Sequence, residues 1–138
     1  MIRTAMPTAA ATHWSLLDAL EPEEREALVA RLRPRRYKRG QAVFNDGDHG
    51  DCLYLVQSGR LDVQVTTMDG HTISLRVIQP GEFFGELALL KRVKRMGTVT
   101  ALTRTSMMII DALDFENLLD RDATLRERIL RCWSDASA

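Results

Sequence analysis

The sequence has little cysteine, no long hydrophobic run and no net charge. Its two cysteines, Cys52 and Cys132, form no CxxC pair, so we expect neither a disulfide framework nor a zinc site. This cysteine usage fits a reducing compartment and predicts a cytoplasmic location. The apolar stretches, such as Met107 to Ile110, fall far short of the roughly 20 residues of a membrane-spanning helix. With 19 basic and 19 acidic residues, no bulk charge draws the chain to nucleic acid or to an anionic membrane.

The N-terminal stretch, residues 1–12, is rich in small residues and contains one arginine and no acid. It lacks the apolar core of roughly 7–15 residues that a signal peptide needs. We therefore predict a disordered tail over residues 1–12, with a targeting segment as the alternative. The remaining residues, 13–138, fit one domain.

Helices are predicted at the start of this domain. Apolar residues recur at helical spacing from Trp14 to Leu20. Pro22 then opens a second helix, and the two glutamates that follow it suit the positive end of a helix dipole. Pro34 is expected to stop this helix, so the N-terminal helices fall within residues 13–33.

Residues 35–111 are predicted to form short strands separated by glycine-containing turns. Residues 53–56 are apolar on both faces of a strand, whereas residues 61–65 alternate between apolar and polar side chains. Asp69-Gly70 is a hairpin signal. Further strands are predicted over residues 98–101 and 106–110. This regular spacing predicts an antiparallel, jelly-roll-like β-roll (a double-stranded β-helix) rather than an α/β sheet.

The C-terminal end returns to helix over residues 114–133. Asp114 is expected to cap a short helix, and Asp122 to begin another with an apolar side. The predicted fold class is therefore mainly β, with helices on both sides of the roll.

One segment, residues 81–99, breaks the β pattern. Residues 86–90 favour a helix of one or two turns, and Gly85 before them lets the backbone approach a ligand closely. A helix that opens there exposes the N–H groups of Leu87 and Ala88, which suit a phosphate. Arg95 lies where a loop can return it to the same place, and its guanidinium can donate two hydrogen bonds to phosphate oxygens.

Glu86 needs a different partner, because a carboxylate repels phosphate. In a phosphate site it must contact a donor such as a sugar hydroxyl. A cyclic nucleotide offers both groups, one phosphate diester and one free 2′-hydroxyl. The alternative is that Glu86 and Arg95 form only a structural ion pair.

These residues strongly resemble the cyclic-nucleotide-binding family, which includes the regulatory subunits of cAMP-dependent protein kinase and the bacterial catabolite activator proteins. Phe84 to Leu90, followed by Arg95 and by Gly97 to Val99, is similar to the phosphate-binding cassette of the family. The resemblance extends from about Trp14 to Trp133. It includes turn and strand positions at Asp46 to Asp48, Leu53-Tyr54, Ser58-Gly59 and Gly81-Glu82.

The resemblance implies a cyclic-nucleotide sensor that acts as a ligand-controlled regulatory switch. Glu86 would take the ribose 2′-hydroxyl and Arg95 the exocyclic phosphate oxygens. The ligand-binding residues implied are Phe84, Gly85, Glu86, Leu87, Ala88, Arg95 and Met96, with backbone N–H groups of Leu87, Ala88 and Met96 completing the phosphate cradle. Leu89 would lie at a hydrophobic hinge to the C-terminal helices. Ile129, Leu130 and Trp133 are the candidates for a lid over the base.

Two departures from the family pattern bear on the ligand. Lys94 stands where the family usually has proline before the arginine, so the loop is expected to be less rigid. Met96 stands where the family usually has Ala, Ser or Thr. A hydroxyl there often favours cGMP, so methionine favours cAMP, with cGMP as the alternative.

Other functions are weighed against this one. A run of basic residues over residues 31–39 could suggest nucleic acid, but a solvated surface is the expected reading on a neutral chain. The three histidines form no HxH pair, and no catalytic motif is present, so we expect no enzyme, no cofactor and no metal. A degenerate interaction module and a sensor of another nucleotide, such as a cyclic dinucleotide, stay open.

These residues do not indicate which protein or domain responds to the switch. We expect either a stand-alone sensor that acts on a protein partner or one domain fused to an effector. Pairing of two copies through the final helix is a further alternative, although that helix is too short to promise a stable coiled coil.

Overall fold

The structure, a computed structural model, describes residues 14–137; of Leu87 and residues 132–137 only the backbone is described. The predicted tail lies outside the described residues. The helical segments are a 3-10 helix Ser15–Ala19, α1 Pro22–Ala30, α2 Glu86–Leu90, α3 Ala112–Leu119 and α4 Leu125–Ser137. The strands are β1 Arg33–Tyr37, β2 Ala42–Phe44, β3 Cys52–Ser58, β4 Leu61–Thr66, β5 Thr72–Ile78, β6 Phe83–Phe84, β7 Thr98–Ala101 and β8 Thr105–Asp111.

The strands form two four-stranded sheets in which every pairing is antiparallel. One sheet has the order β1-β8-β3-β6 and the other β2-β7-β4-β5. The chain passes between the two sheets repeatedly and so winds into a roll. The fold class is therefore confirmed, with helices flanking a mainly β domain.

Strand β3 is buried on both faces, as its continuous apolar run predicts. Leu53 and Leu55 point to the helices, where they join a cluster with residues of α3 and α4. Tyr54 and Val56 point between the two sheets into a second cluster. The domain thus has two cores, one under the helices and one inside the roll, separated by the sheet that contains β3.

The N-terminal helices differ from the prediction. The first is a 3-10 helix, closed by i→i+3 bonds such as Leu17 N to Trp14 O at 3.0 Å. Helix α1 ends at Ala30, and β1 begins at Arg33, so Pro34 lies inside a strand instead of stopping the helix. Because β1 is an edge strand paired only with β8 in the described chain, a residue without an N–H is tolerated there.

The C-terminal helices also have different bounds. Asp111, not Asp114, is the residue at the N-cap of α3, because β8 continues directly into that helix. Asp114 lies in its first turn instead. Asp122 accepts hydrogen bonds from the backbone N and the hydroxyl of Thr124, both at 2.8 Å, and α4 begins only after this turn.

Candidate ligand-binding site

A cavity of about 280 Å³ opens between the strands β4, β5 and β7 and the segment of residues 84–97, here called the cassette segment. Its size is near the lower end of the roughly 300–1,000 Å³ of small-molecule pockets. The lining residues from the strands are Phe44, Val63, Val65, Leu75, Arg76, Ile78 and Val99. Those from the cassette segment are Phe84, Gly85, Glu86, Ala88, Val93, Lys94, Arg95, Met96 and Gly97. The strand wall is largely apolar, and most of the charged groups lie on the cassette side.

The cassette segment depends on the left-handed conformation of Gly85. Its φ is +90°, and α2 begins at the next residue. A Cβ at this position would lie 2.8 Å from Nη1 of Arg95 and 3.2 Å from the ring of Tyr54. Only glycine therefore allows the start of α2 to lie this close to the arginine.

The side chain of Arg95 is buried, with 4% of its surface exposed. Its Nη1 donates to the carbonyl oxygen of Gly85 at 2.7 Å, and Nη2 donates to that of Cys52 at 2.8 Å. Cζ lies 4.2 Å from the ring centre of Phe44, a cation–π contact. The Nε–H is buried and has no hydrogen-bond partner among the described residues. The guanidinium is thus fixed in place, with its Nε–H left without an acceptor.

No carboxylate in the described part of the chain forms a salt bridge with Arg95 within 4 Å. The alternative of a structural ion pair between Glu86 and Arg95 is therefore wrong for this structure. Backbone carbonyls hold the guanidinium in position without cancelling its charge. A buried cation of this kind is suited to an anionic ligand.

The turn between β2 and β3 holds the backbone of Arg95 in place. The backbone N of Arg95 donates to the carbonyl of Asp48, and the N of Gly47 donates to the carbonyl of Arg95, both at 2.8 Å. At Gly50, an added Cβ would lie 2.6 Å from that of Ala88 in α2. This turn therefore packs directly against the helix and the arginine that line the cavity.

Glu86 lies at the start of α2 with 2% of its surface exposed. Burial raises the pKa of this carboxyl to about 7, against the smaller opposing effects of its own backbone N–H and of the Arg76 and Arg95 guanidiniums. Near neutral pH this carboxyl can therefore be either a hydrogen-bond acceptor or a donor.

The structure brings most of the predicted ligand-binding residues together. Phe84, Gly85, Glu86, Ala88, Arg95 and Met96 all line the cavity. Met96 lies at its mouth with 65% of its surface exposed. The backbone of Leu87 lies in α2, and its side chain is outside the described part of the structure.

Neither Ile129 nor Leu130, the two lid candidates whose side chains the structure describes, lines the cavity. Ile129 is fully buried in the core under the helices, and Leu130 packs against the same core. The side chain of Trp133 lies outside the described residues. A lid over the base therefore stays a prediction.

Among the cavity residues that the sequence analysis missed, two bear directly on the charged groups of the site. Phe44 provides the ring beneath Arg95, and Arg76 adds a second guanidinium to the lining. Both lie on strands outside the cassette segment, Phe44 on β2 and Arg76 on β5.

Within the described residues, no helix is both long enough and apolar enough to cross a membrane. The same part of the chain contains no group of three or more His, Cys, Asp or Glu side chains that could hold a metal ion.

Comparisons with known proteins assign the family. The family model described as "Cyclic nucleotide-binding domain" matches residues 34–122. The cyclic AMP receptor protein of Thermus thermophilus is 33% identical over 106 residues, which is 77% of this chain and 49% of that protein. A cAMP-dependent protein kinase regulatory subunit of Yarrowia lipolytica is 35% identical over 104 residues, 75% of this chain and 27% of that protein.

The likeness extends to three dimensions. The crystal structure of the Thermus thermophilus catabolite activator protein superposes with a TM-score of 0.76 at 30% identity, covering 89% of this chain and 57% of that one. This chain spans about half or less of the length of the two curated relatives. The matched stretch includes the cavity and the cassette segment, so the chain belongs to the cyclic nucleotide-binding domain family.

Proposed function

We propose that this domain senses cAMP and acts as a ligand-controlled regulatory switch without catalysing a reaction. The observation that carries the proposal is the buried guanidinium of Arg95, which lines the cavity with no neutralising carboxylate within 4 Å in the described chain. A cyclic nucleotide presents one negative charge at its phosphate diester, which matches this cation.

The phosphate is proposed to bind at Arg95. Leaving a buried donor such as its Nε–H without an acceptor costs about 1–3 kcal/mol, and a phosphate oxygen would supply that acceptor. Lys94 also lines the cavity and adds positive potential at the mouth. Backbone N–H groups of Leu87, Ala88 and Met96 remain candidates to complete the phosphate contacts.

The ribose and the base are proposed to occupy the rest of the cavity. Glu86 faces the cavity from the start of α2, where its carboxylate can accept a hydrogen bond from the 2′-hydroxyl. The apolar wall of Val63, Val65 and Val99 suits a flat purine ring. Because Met96 offers no hydroxyl to a guanine, cAMP is the first ligand to test.

Helix α2 provides a path from the cavity to the C-terminal helices. Glu86 and Ala88 line the cavity, whereas Leu89 and Leu90 are buried in the core with residues of α3 and α4. Nη1 of Arg126 in α4 donates to the carbonyl of Leu90 at 2.6 Å. A shift of α2 on ligand binding would therefore reach α4 directly, and the ligand can drive that shift only by its differential affinity for the two arrangements.

The output is proposed to be a protein partner or an effector domain of a longer protein. The two curated relatives described above are named as a receptor protein and as a kinase regulatory subunit, and both extend beyond the matched stretch. Repositioning of α3 and α4 is the signal that such a partner would read. A cytoplasmic location is part of the same proposal.

Calorimetric titration with cAMP tests this function. We expect a Kd at or below roughly 1 μM, equivalent to about −8 kcal/mol. Arg95→Ala should abolish binding, whereas Arg36→Ala, which removes an exposed arginine on β1, should not change it. Adenosine and 5′-AMP serve as ligands that lack the cyclic diester.

The absence of heat with cAMP and with cGMP, from folded and ligand-free protein, would contradict the proposal. It would favour an interaction module or a receptor for another ligand, such as a cyclic dinucleotide. Binding that survives Arg95→Ala would show that the phosphate lies elsewhere.

A further inference from the structure

Helix α2 ends in a turn that places one residue in the left-handed region. Arg92 has a φ of +54°, and among the described residues it is the one residue other than glycine with a positive φ. The backbone N of Val93 donates to the carbonyl of Ala88 at 3.2 Å. This bond, following a left-handed residue, is typical of a Schellman helix end, where glycine is the usual residue. The chain therefore has an arginine where the backbone favours a glycine.

This turn directs the chain from the end of α2 back to the cavity. The next three residues, Val93, Lys94 and Arg95, all line the cavity. Because two residues separate Arg92 from Arg95, a different backbone conformation at Arg92 would redirect the whole of this short return. The placement of the Arg95 guanidinium in the cavity hence depends on the left-handed conformation of Arg92.

The side chain of Arg92 contacts helix α3 instead of the cavity. Its Nη2 donates to Oε2 of Glu116 at 3.2 Å, and the two side chains are 73% and 35% exposed. An exposed ion pair favours one arrangement by at most about five-fold, whereas the left-handed region is disfavoured roughly 5- to 30-fold for residues other than glycine. The ion pair therefore offsets the backbone cost only in part, and the contacts of Arg95 must supply the rest.

We propose that Arg92 is a positioning residue whose turn alternates between two arrangements in the ligand-free domain. In the closed arrangement, which is the one described above, Arg92 is left-handed, pairs with Glu116 and holds Arg95 at the cavity. In the open arrangement Arg92 leaves the left-handed region, the ion pair breaks and Arg95 moves away from the phosphate site. This inference rests on the proposed function, because a phosphate bound at Arg95 favours the closed arrangement.

The ion pair gives helix α3 control over ligand affinity. Glu116 lies on α3, so a partner that displaces this helix would remove an interaction that favours the closed arrangement. By linkage, a ligand that closes the turn strengthens the contact with α3 by the same factor. This route differs from the contact of Arg126 with Leu90, because it begins after the end of α2 and leads to α3.

A comparison of Arg92→Ala with Arg92→Gly tests the proposal. Both variants lack the ion pair, but glycine adopts the left-handed conformation without the cost that alanine retains. Because the apparent affinity follows the closed fraction, Arg92→Gly should bind cAMP roughly 5- to 30-fold more tightly than Arg92→Ala. Glu116→Gln removes the ion pair alone and should weaken cAMP binding roughly two- to five-fold. Arg36→Ala, an exposed change on β1, should leave the affinity unchanged.

Amide hydrogen exchange in the ligand-free variants measures the turn itself. The N–H of Val93 is bonded to Ala88 in the closed arrangement and loses this bond in the open one. Its protection, corrected for the intrinsic exchange rate of each sequence, should be roughly 5- to 30-fold greater in Arg92→Gly than in Arg92→Ala. This measurement requires no ligand.

The two measurements separate this inference from the proposed function. If the wild-type domain binds cAMP but Arg92→Gly and Arg92→Ala are equal in affinity or in protection of Val93, the inference is wrong and the proposed function stands. Wild-type affinity in Glu116→Gln would overturn the control by α3. If the wild-type domain binds no cyclic nucleotide, the proposed function fails, and equal protection of Val93 in the two variants would overturn the two arrangements as well. Should Arg92→Gly not fold, Arg92→Asn takes the same test, because asparagine also adopts the left-handed conformation.

Discussion

Nη1 of Arg95 donates to the carbonyl oxygen of Gly85 at 2.7 Å, which joins the buried cation to the residue that precedes helix α2. The position of the charge is therefore coupled to the backbone conformation of one glycine. The same arginine is held by the carbonyl of Cys52 on β3. Small changes at Gly85 should consequently affect ligand affinity.

Gly85→Ala and Gly40→Ala form a matched pair that tests this coupling. Both glycines have a positive φ, +90° and +85°, so each alanine should lower the free energy of unfolding by about 1–3 kcal/mol. At Gly40 no atom lies within 4 Å of the added Cβ, whereas at Gly85 it collides with Nη1 of Arg95. Losing one charge-assisted hydrogen bond, about 1.5–3 kcal/mol, predicts roughly 10- to 150-fold weaker cAMP binding for Gly85→Ala alone.

Denaturant unfolding measures the free energy of unfolding of the two variants, and calorimetry measures their affinity for cAMP. A larger loss of cAMP affinity in Gly85→Ala than in Gly40→Ala, measured with both variants folded, would support the coupling. Equal affinities in the two variants would contradict it, because the collision at Arg95 would then have no effect on the ligand.

Ligand affinity should depend on pH through Glu86. Burial raises the pKa of this carboxyl from its ordinary value of 4.5 to about 7. The ionised carboxylate accepts a hydrogen bond from the ribose hydroxyl, and protonation removes that acceptor capacity in part. The affinity for cAMP should therefore fall as the pH is lowered through about 7, and it should level off above about 8.

Glu86→Gln is the control for this titration, because the amide does not titrate. Its affinity should be lower than that of the wild type at pH 8 and nearly constant between pH 6 and 8. A variant that keeps the full pH dependence would assign that dependence to another group.

The local part of the site was predictable, and the part assembled across strands was not. Gly85, Glu86 and Arg95 lie within one short segment, where the conformational freedom of glycine and the helix propensity of its neighbours specify the local geometry. Phe44 lies on β2, and Arg76 lies on β5 beside a bulge in the pairing with β4. No local pattern reveals where a bulge will fall, so these two residues could not be found from the sequence.

The bounds of the elements show the same division. The alternation of residues 61–65 and the Asp69-Gly70 turn predicted β4 and its hairpin with β5. Pro34 was expected to stop a helix but lies in β1, because the position of β1 at the sheet edge overrides the local signal. Aspartate is common at helix N-caps, which is why Asp114 was expected to be one. The end of β8 instead places Asp111 at the N-cap of α3.

The buried and the exposed ion pairs of the C-terminal helices should differ in their contribution to the free energy of unfolding. Arg128 in α4 donates to the carbonyl of Ala19 at 2.6 Å and forms ion pairs with Glu24 and Asp122 at 3.2 and 2.9 Å. Because Glu24 is buried, Arg128→Ala leaves a buried carboxylate without its partner. We expect a loss of about 1–3 kcal/mol in the free energy of unfolding, measured by urea denaturation.

Arg92→Ala provides the comparison for this loss. Arg92 pairs with Glu116 at 3.2 Å, but its side chain is 73% exposed. Removing an exposed pair should change the free energy of unfolding by at most about 1 kcal/mol. Equal losses in Arg92→Ala and Arg128→Ala would show that burial of Glu24 does not decide the outcome.

The contact between Arg126 and Leu90 should transmit ligand binding to α4. It connects the end of α2 with α4 without lining the cavity. Arg126→Ala should therefore leave cAMP affinity within a few-fold of the wild type, on the order of 1 kcal/mol or less, while reducing the ligand-induced change in amide hydrogen exchange of α4. Arg131→Ala, an exposed change on the same helix, is the control. An unchanged exchange response in Arg126→Ala would mean that the apolar contacts of Leu89 and Leu90 carry the signal alone.

The central claim is that the guanidinium of Arg95 holds the phosphate of a cyclic nucleotide in this cavity. A crystal structure of the domain with cAMP tests it most directly. We expect the exocyclic phosphate oxygens within about 3 Å of the Arg95 guanidinium, the 2′-hydroxyl at Glu86, and the purine against Val63 and Val65. A nucleotide bound with its phosphate away from Arg95, or outside the cavity, would contradict the account.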